Sequence, residues 1–496
     1  MELVKNKETV EGYRLIAGYL GVIFILVGII VFLPLLTLIA YPEEIENAKY
    51  FVIPGIISIF IGYSLSFLIK GKKKGDLHKH QDALIVIAAW IISIFVCAFP
   101  FIMTGKYNFT QAVFEATSGF STTGLSVVDV TVTPKIFLMF RSIMLFFGGV
   151  GLVLVMTSVI SDAYGMRLYN AEGHSDKLVP NLAKSARMII TIYSGYIFSG
   201  TVLYVIFGMK PFDALNHSIA ALSTGGFSTK AESIGYYNSV PIETITIVLM
   251  LFGGTNFLIH LFLLKGKFKN FFQHCEVKFM LFITAAALPI FGFLLFSGFS
   301  YDISESLRVS IFHIISSITT TGFQTVPTFN NWSSSLLFLT VILMLIGGGA
   351  GSTSGGIKLY RVYTAFKDLY WTVRDKFSHK RIIRSDSIIR FGQKEKVDKA
   401  FKTEVYSFIG IYIFIFLIGT FIFTLFGNTL ENSMFEFASA LGTVGISVGI
   451  TGFDAHPAIL WTTICGMILG RLEIYIVFLG MIRLFSDMGN KIRGRS

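Results

Sequence analysis

The feature that most limits what this chain can become is a short polar, glycine-bearing run, set four times between apolar segments long enough to cross a membrane. Aligned on the glycine, the copies read Thr122-Thr123-Gly124-Leu125, Thr224-Gly225-Gly226-Phe227, Thr320-Thr321-Gly322-Phe323 and Thr443-Val444-Gly445-Ile446. Nine residues before the glycines stand Glu115, His217, His313 and Glu436, preceded by Phe114, Asn216, Phe312 and Phe435. A single Thr-x-Gly carries almost no information. Four in-phase copies with matched flanks make a repeat.

The surrounding sequence puts these repeats in a bilayer. With 53% hydrophobic and only 14% charged residues, the chain reads as an integral membrane protein. Stretches of about 20 apolar residues match a hydrocarbon core of about 30 Å. Ten occur, near 15–40, 51–69, 82–103, 136–160, 188–209, 243–264, 277–299, 335–357, 404–427 and 458–482. The first is too long for a signal-peptide core and lacks a small-residue cleavage site, so a retained span is expected. Cys97, Cys275 and Cys465 are scattered, with neither metal spacing nor a disulfide framework.

A net charge of +11 invites a nucleic-acid partner. The basic residues, however, cluster in alternate connections: Lys72-Lys73-Lys74, Lys265 to Lys269, Lys358 to Lys402 and Arg493 to Arg495. With the N-terminus inside, this is the positive-inside asymmetry, which accounts for the charge without nucleic acid and puts all four Thr-x-Gly runs outside. Arg141 and Arg471 stand apart, within spans. The loop Lys358 to Lys402 holds Trp371-Thr372-Val373-Arg374 and reads as amphipathic helix rather than a separate domain.

The repeating unit is a span, a segment too short to cross (Asn108 to Gly119 in the first copy), the Thr-x-Gly run and a returning span. The returning spans carry Phe147-Gly148-Gly149, Phe252-Gly253-Gly254, Ile346-Gly347-Gly348 and Leu469-Gly470-Arg471, so Arg471 replaces a second glycine. The expected divisions are an N-terminal helical pair at 1–80 and pore repeats at 81–170, 171–275, 276–400 (with the basic cytoplasmic loop) and 401–496. Non-helical backbone at membrane depth is tolerated only where protein buries it or where it lines a water-filled cavity. The expected fold is therefore all-α, with four pseudo-symmetric span–pore-loop–span repeats around one central pore, plus the N-terminal pair.

A cation entering a narrow pore exchanges its hydration shell for other oxygens, and backbone carbonyls supply them in selectivity filters. Glycine accepts the positive φ that turns successive carbonyls to one side. The short helices before each run would aim their negative C-terminal ends at the cavity. The candidate ion-lining residues are Thr122, Thr123, Gly124, Thr224, Gly225, Gly226, Thr320, Thr321, Gly322, Thr443, Val444 and Gly445. Glu115, His217, His313 and Glu436 read as hydrogen-bonding groups behind the filter rather than ion ligands. Gly356-Ile357-Lys358 lacks the Gly-Lys-Ser/Thr ending of a nucleotide loop. Gly445-Ile446-Ser447-Val448-Gly449 spells a nucleophile elbow without strand–turn–helix context. No enzyme is expected.

On these motifs the chain resembles, over residues 82 to 496, the TrkH, TrkG and KtrB superfamily of potassium-uptake proteins. Its ten spans resemble the TrkH-like branch, whose extra N-terminal pair corresponds to residues 1 to 80. The resemblance implies potassium as the transported ion, no organic cofactor, and a multi-pass subunit in the cytoplasmic (inner) membrane. It places Gly124, Gly226, Gly322 and Gly445 at the family's filter glycines, and it associates a serine at the first of them with sodium passage. The fourth copy is nearest the tetrameric filter, but none has the full Thr-Val-Gly-Tyr-Gly.

The run containing Gly347, Gly348, Gly349, Gly351, Gly355 and Gly356 resembles the family's intramembrane gate loop, and Arg471 occupies the position of its arginine. An ionisable residue there is functional by default. Its expected partners are the carbonyls and the Ser352, Thr353 and Ser354 hydroxyls of that loop, or else Glu473. The family further implies a homodimer seated on a cytosolic, nucleotide-binding TrkA/KtrA-like regulator. Anionic membrane lipid is the other partner for the basic face. Sodium or non-selective monovalent-cation transport stays open, as does secondary transport of an organic solute on broken helices. Four short repeats with one polar loop each favour ion conduction.

Overall fold

A computed structural model describes residues 9–10, 12–70, 72–74, 81–151, 182–299, 301–377 and 386–492. The end of the fourth apolar stretch (152–160), the expected boundary at 170 and the basic tail Arg493 to Arg495 lie outside the described residues.

The N-terminal pair is α1 (Gly12–Phe32) and α2 (Lys49–Ser66). Lipid gives apolar helices no hydrophobic reason to associate, so small residues at the contact matter. A Cβ on Gly62 would lie 2.5 Å from the Gly21 carbonyl oxygen, and one on Gly28 would lie 3.0 Å from that of Gly55. Backbone therefore meets backbone at two levels. The pair leans on the first repeat through Phe51, whose ring lies 4.9 Å from Phe137 and 5.2 Å from Phe140. In the connection between the two helices Glu44 accepts from the Lys135 and Ile136 amides at 2.8 and 2.9 Å, placing a carboxylate on a helix N-terminus.

That helix belongs to the first repeat, α3 (Gln81–Met103), α4 (Phe109–Phe120) and α5 (Lys135–Val150). The second is α6 (Leu182–Ile206), α7 (Pro211–Leu222), α8 (Val240–Gly253) and α9 (Phe257–Leu264). The third is α10 (Cys275–Gly298), α11 (Ile303–Ile318), α12 (Ser334–Ile346) and α13 (Leu359–Lys376). The fourth is α14 (Lys399–Leu425), α15 (Leu430–Leu441), α16 (Pro457–Arg471) and α17 (Ile474–Ile492).

Helices α4, α7, α11 and α15 have 12 to 16 residues. At 1.5 Å per residue they reach about 18–24 Å, short of a bilayer core of about 30 Å. Local chemistry sets where they begin. Asn108 and Gln111 form a capping box, Asp302 and Thr429 cap α11 and α15, and Pro211 opens α7. Each packs on the returning helix of the preceding repeat: α7 on α5, α11 on α8, α15 on α12, and α4 on α16. The last contact closes four repeats into a ring.

The returning stretches are not the continuous spans that their hydropathy suggests. Helices α8 and α9 meet at 114°, α16 and the following helix at 105°, and α12 stops at Ile346. Among the described residues six helices are long and apolar enough to cross singly, or eight counting the bent pairs. The first glycine of each motif lies beside these breaks. A Cβ on Gly148, Gly253 or Gly470 would come closer than 3.0 Å to the carbonyl oxygen of Phe120, Leu222 or Leu441, the last residue of that repeat's own short helix. Helices α8 and α16 thus run onto the end of their own short helix just before the bend.

The basic loop contains the amphipathic helix α13 and, in addition, a hairpin of Ser387–Arg390 with Gln393–Lys396. Ile388 and Val397 close over Trp371.

Candidate functional site

All four short helices end in the same way. The residue after each C-cap is Thr122, Thr224, Thr320 or Thr443, with φ of 54°, 50°, 54° and 52°. Its amide donates three residues back, to Gly119, Ala221, Ser317 and Ala440, at 3.1–3.2 Å. The next amide donates five back, to Ser118, Ala220, Ser316 and Ser439, at 2.8–2.9 Å. This is a Schellman cap, whose left-handed residue is usually glycine. A β-branched residue there is strained by roughly 1–2 kcal/mol.

The threonines' contacts show what the strain holds in place. Thr224 Oγ1 donates to Thr353 Oγ1 at 3.0 Å, Thr320 Oγ1 accepts from the Gly355 amide at 2.9 Å, and Thr122 Oγ1 reaches the Thr353 carbonyl at 3.5 Å. Gly355 lies so close to Thr443 Oγ1 that a Cβ would clash. All four hydroxyls thus face one loop.

Two residues on, Gly124, Gly226, Gly322 and Gly445 have φ of 96°, 60°, 84° and 105°. Their neighbours define a cycle. A Cβ on Gly124 would meet the Gly225 carbonyl oxygen, one on Gly226 that of Thr321, one on Gly322 that of Val444, and one on Gly445 that of Thr123, each closer than 3.0 Å. Four carbonyl oxygens, all from the middle residue of Thr-x-Gly, therefore stand at the four junctions of a closed ring. On one side lies a cavity of about 290 Å³ bounded by all four glycines, with Asp129 and Lys230 at its edge.

Behind the ring, Glu115 accepts from Ser126 Oγ and the Val127 amide at 3.0 and 3.1 Å. Glu436 accepts from Ser447 Oγ and the Val448 amide at 2.7 and 2.9 Å. His217 Nε2 bonds Ser228 Oγ at 2.9 Å, and His313 Nε2 accepts from the Thr325 amide at 3.4 Å. Each group ties its short helix to the chain eleven or twelve residues downstream, where that chain leaves the ring.

On the other side runs the loop from Gly347 to Gly356. It is fastened to the break in the second returning stretch: the Gly349 amide to Gly254 O at 2.9 Å, the Thr353 amide to Gly253 O at 3.2 Å, and the Phe257 amide to Gly351 O at 3.2 Å. Asn256 Nδ2 donates to the Ala350 carbonyl at 2.5 Å, and buried Glu276 accepts from the Ala350 amide at 2.9 Å. Arg471 donates to the Thr353 carbonyl from one terminal nitrogen and to Gly148 O and Gly149 O, at 2.5 and 3.2 Å, from the other. Glu473, the alternative partner read from sequence, pairs with Arg361 at 2.9 Å. The hydroxyls of Thr353 and Ser354 donate to Gly253 O and Thr319 O.

The sequence reading gave no role to Asn256 or Glu276, and it placed Lys358 at the head of the basic loop, whereas its Nζ donates to the Ser354 carbonyl from a backbone with φ of 84°. Asn256 and Glu276 carry no motif. Lys358 had a visible signal, as the first cation after the glycine run.

Residues 47–492 match the TrkH family, described as cation transport protein. The chain belongs to the TrkH family. An uncharacterized cation transporter of Methanocaldococcus jannaschii is 30% identical over 97% of this chain and 97% of its own. The Trk system potassium uptake protein TrkG of Escherichia coli is 30% identical over 87% of this chain and 92% of its own. The crystal structure of the potassium transporter TrkH from Vibrio parahaemolyticus superposes with a TM-score of 0.83 at 26% identity, covering 94% of this chain and 98% of that one. As a TrkH-family chain, the protein is a multi-pass cation transporter of the cytoplasmic membrane and not an enzyme.

Proposed function

We propose that this chain takes up potassium through the ring at the Thr-x-Gly segments, with the loop from Gly347 to Gly356 and Arg471 as the gate beneath it. The observation that carries the reading is the cyclic contact of four glycines with four carbonyl oxygens. An oxygen ring of that kind replaces part of a dehydrated cation's shell, and four helix C-termini directed to it favour positive charge there. Relatives along nearly the whole chain are named potassium uptake proteins.

The gate reading rests on the loop's contact with the four threonine hydroxyls and on the guanidinium that grips it. A fixed positive charge beside the path also opposes a passing cation. The basic cytoplasmic face suits a homodimer docked on a nucleotide-binding regulator of the TrkA/KtrA kind, with anionic lipid as the competing partner.

The test is rubidium uptake in cells lacking their own potassium uptake, with and without the chain. Uptake that saturates and is competed by potassium rather than sodium is expected. No uptake from correctly inserted protein, with and without a co-expressed regulator, refutes the proposal.

A further inference from the structure

Counted back from Gly148, Gly253, Gly347 and Gly470, the seventh residue is Arg141, Thr246, Thr340 and Thr463. The three threonines are fully buried and donate to the carbonyl four residues earlier, at 2.8 Å in each case. One such bond would leave most of arginine's five donors unmet. Its side chain is 3% exposed and leaves its helix to bond three groups and stack on a fourth around one junction of the ring.

Nε donates to Glu115 Oε1 at 2.7 Å, and one Nη donates to Ser126 Oγ at 3.0 Å. The other Nη donates across the repeat boundary to the Ser228 carbonyl at 3.4 Å, and the guanidinium lies 3.9 Å from the centre of the Phe227 ring. Ser126 and Ser228 each follow a ring glycine by two residues, and Phe227 follows Gly226 directly. One rigid plane therefore holds together the chains leaving the first and second segments, where Gly124 abuts the Gly225 carbonyl. Arg141 also borders the cavity above the four glycines.

We propose that Arg141 is a positioning residue for ion selection, fixing the spacing of the first and second Thr-x-Gly segments through its bridge from Glu115 and Ser126 to Ser228. The inference rests on the reading of the ring as the ion path. A ring discriminates between cations through the number and spacing of its oxygens. Releasing one of its four junctions lets it contract around a smaller ion such as sodium. Lysine cannot substitute, because a point charge does not span three acceptors in a plane or lie flat on a ring.

The experiment compares R141K and the double variant E115H/R141T, which installs the residues of the second repeat and leaves no buried charge unpaired. Reversal potentials give the potassium-to-sodium permeability ratio in proteoliposomes, and rubidium uptake gives KM and the maximal rate separately. The expected result is a ratio lowered about tenfold in both variants, the factor of one lost hydrogen bond to a charged group, with the maximal rate largely kept. A ratio within about threefold of the unmutated protein's in either inserted variant overturns the proposal. Failure of both to reach the membrane also overturns it, because the residue then serves folding alone. Absence of potassium transport in the unmutated protein is a different result, and it strikes the underlying reading instead.

Discussion

Replacing Arg471 with alanine should open the path without altering what passes through it. The side chain donates to the loop at the Thr353 carbonyl and to the end of α5 at Gly148 and Gly149. If the loop is the gate, the bond to Thr353 is the one that ties it down, and a hydrogen bond from a charged donor contributes about 1.5–3 kcal/mol. At 1.4 kcal/mol per decade, losing it shifts the closed-to-open equilibrium by roughly 10- to 150-fold. Loss of the fixed charge adds to the shift. R471K separates the two effects, since it keeps the charge but not the fork. Its flux should lie between those of R471A and the unmutated protein. The assay is rubidium flux into proteoliposomes free of any regulator, normalised to inserted protein, with the potassium-to-sodium ratio measured alongside. R471A flux within about twofold of the unmutated value at equal insertion would refute the reasoning, since even the weakest bond predicts about tenfold. A changed ratio would also refute it, because the ring is untouched.

Three other outcomes follow from the same geometry. N256A removes a hydrogen bond to the Ala350 carbonyl and the cap on the Leu258 amide, so unregulated rubidium flux should rise several-fold, by about the worth of one neutral bond; an unchanged flux counts against the second returning stretch as the loop's anchor. G124S introduces a Cβ against the Gly225 carbonyl at a φ of 96°, so the potassium-to-sodium permeability ratio should fall, and reversal potentials equal to those of the unmutated protein would contradict this. G62L forces α1 and α2 apart and should lower the thermal midpoint in detergent by the effect of about 1–3 kcal/mol of overpacking. Its permeability ratio should stay the same because the pair stands outside the ring, and a shifted ratio would show otherwise.

Much of this protein was written locally. Residues at short, regular separations set the membrane class and the four Thr-x-Gly runs, and they carry the inside-positive expectation. The positive φ expected at Gly124, Gly226, Gly322 and Gly445 is a property of single residues, and it is found at all four. Tertiary structure decided what hydropathy cannot distinguish. An apolar stretch reads the same whether straight or bent, and the bends after Gly253 and Gly470 lie where those glycines pack onto Leu222 and Leu441, contacts that only the fold creates. The left-handed threonines were likewise invisible, because the propensities of threonine argue against that conformation until the Schellman cap and the loop beneath impose it. Arg141 and Arg471 were both noticed as charges within spans. The partners of Arg471 include Gly148, 323 residues away, and the bridge of Arg141 reaches Ser228, 87 residues away. No local pattern encodes such pairings, because they exist only once the fourth repeat has packed against the first and the ring has closed.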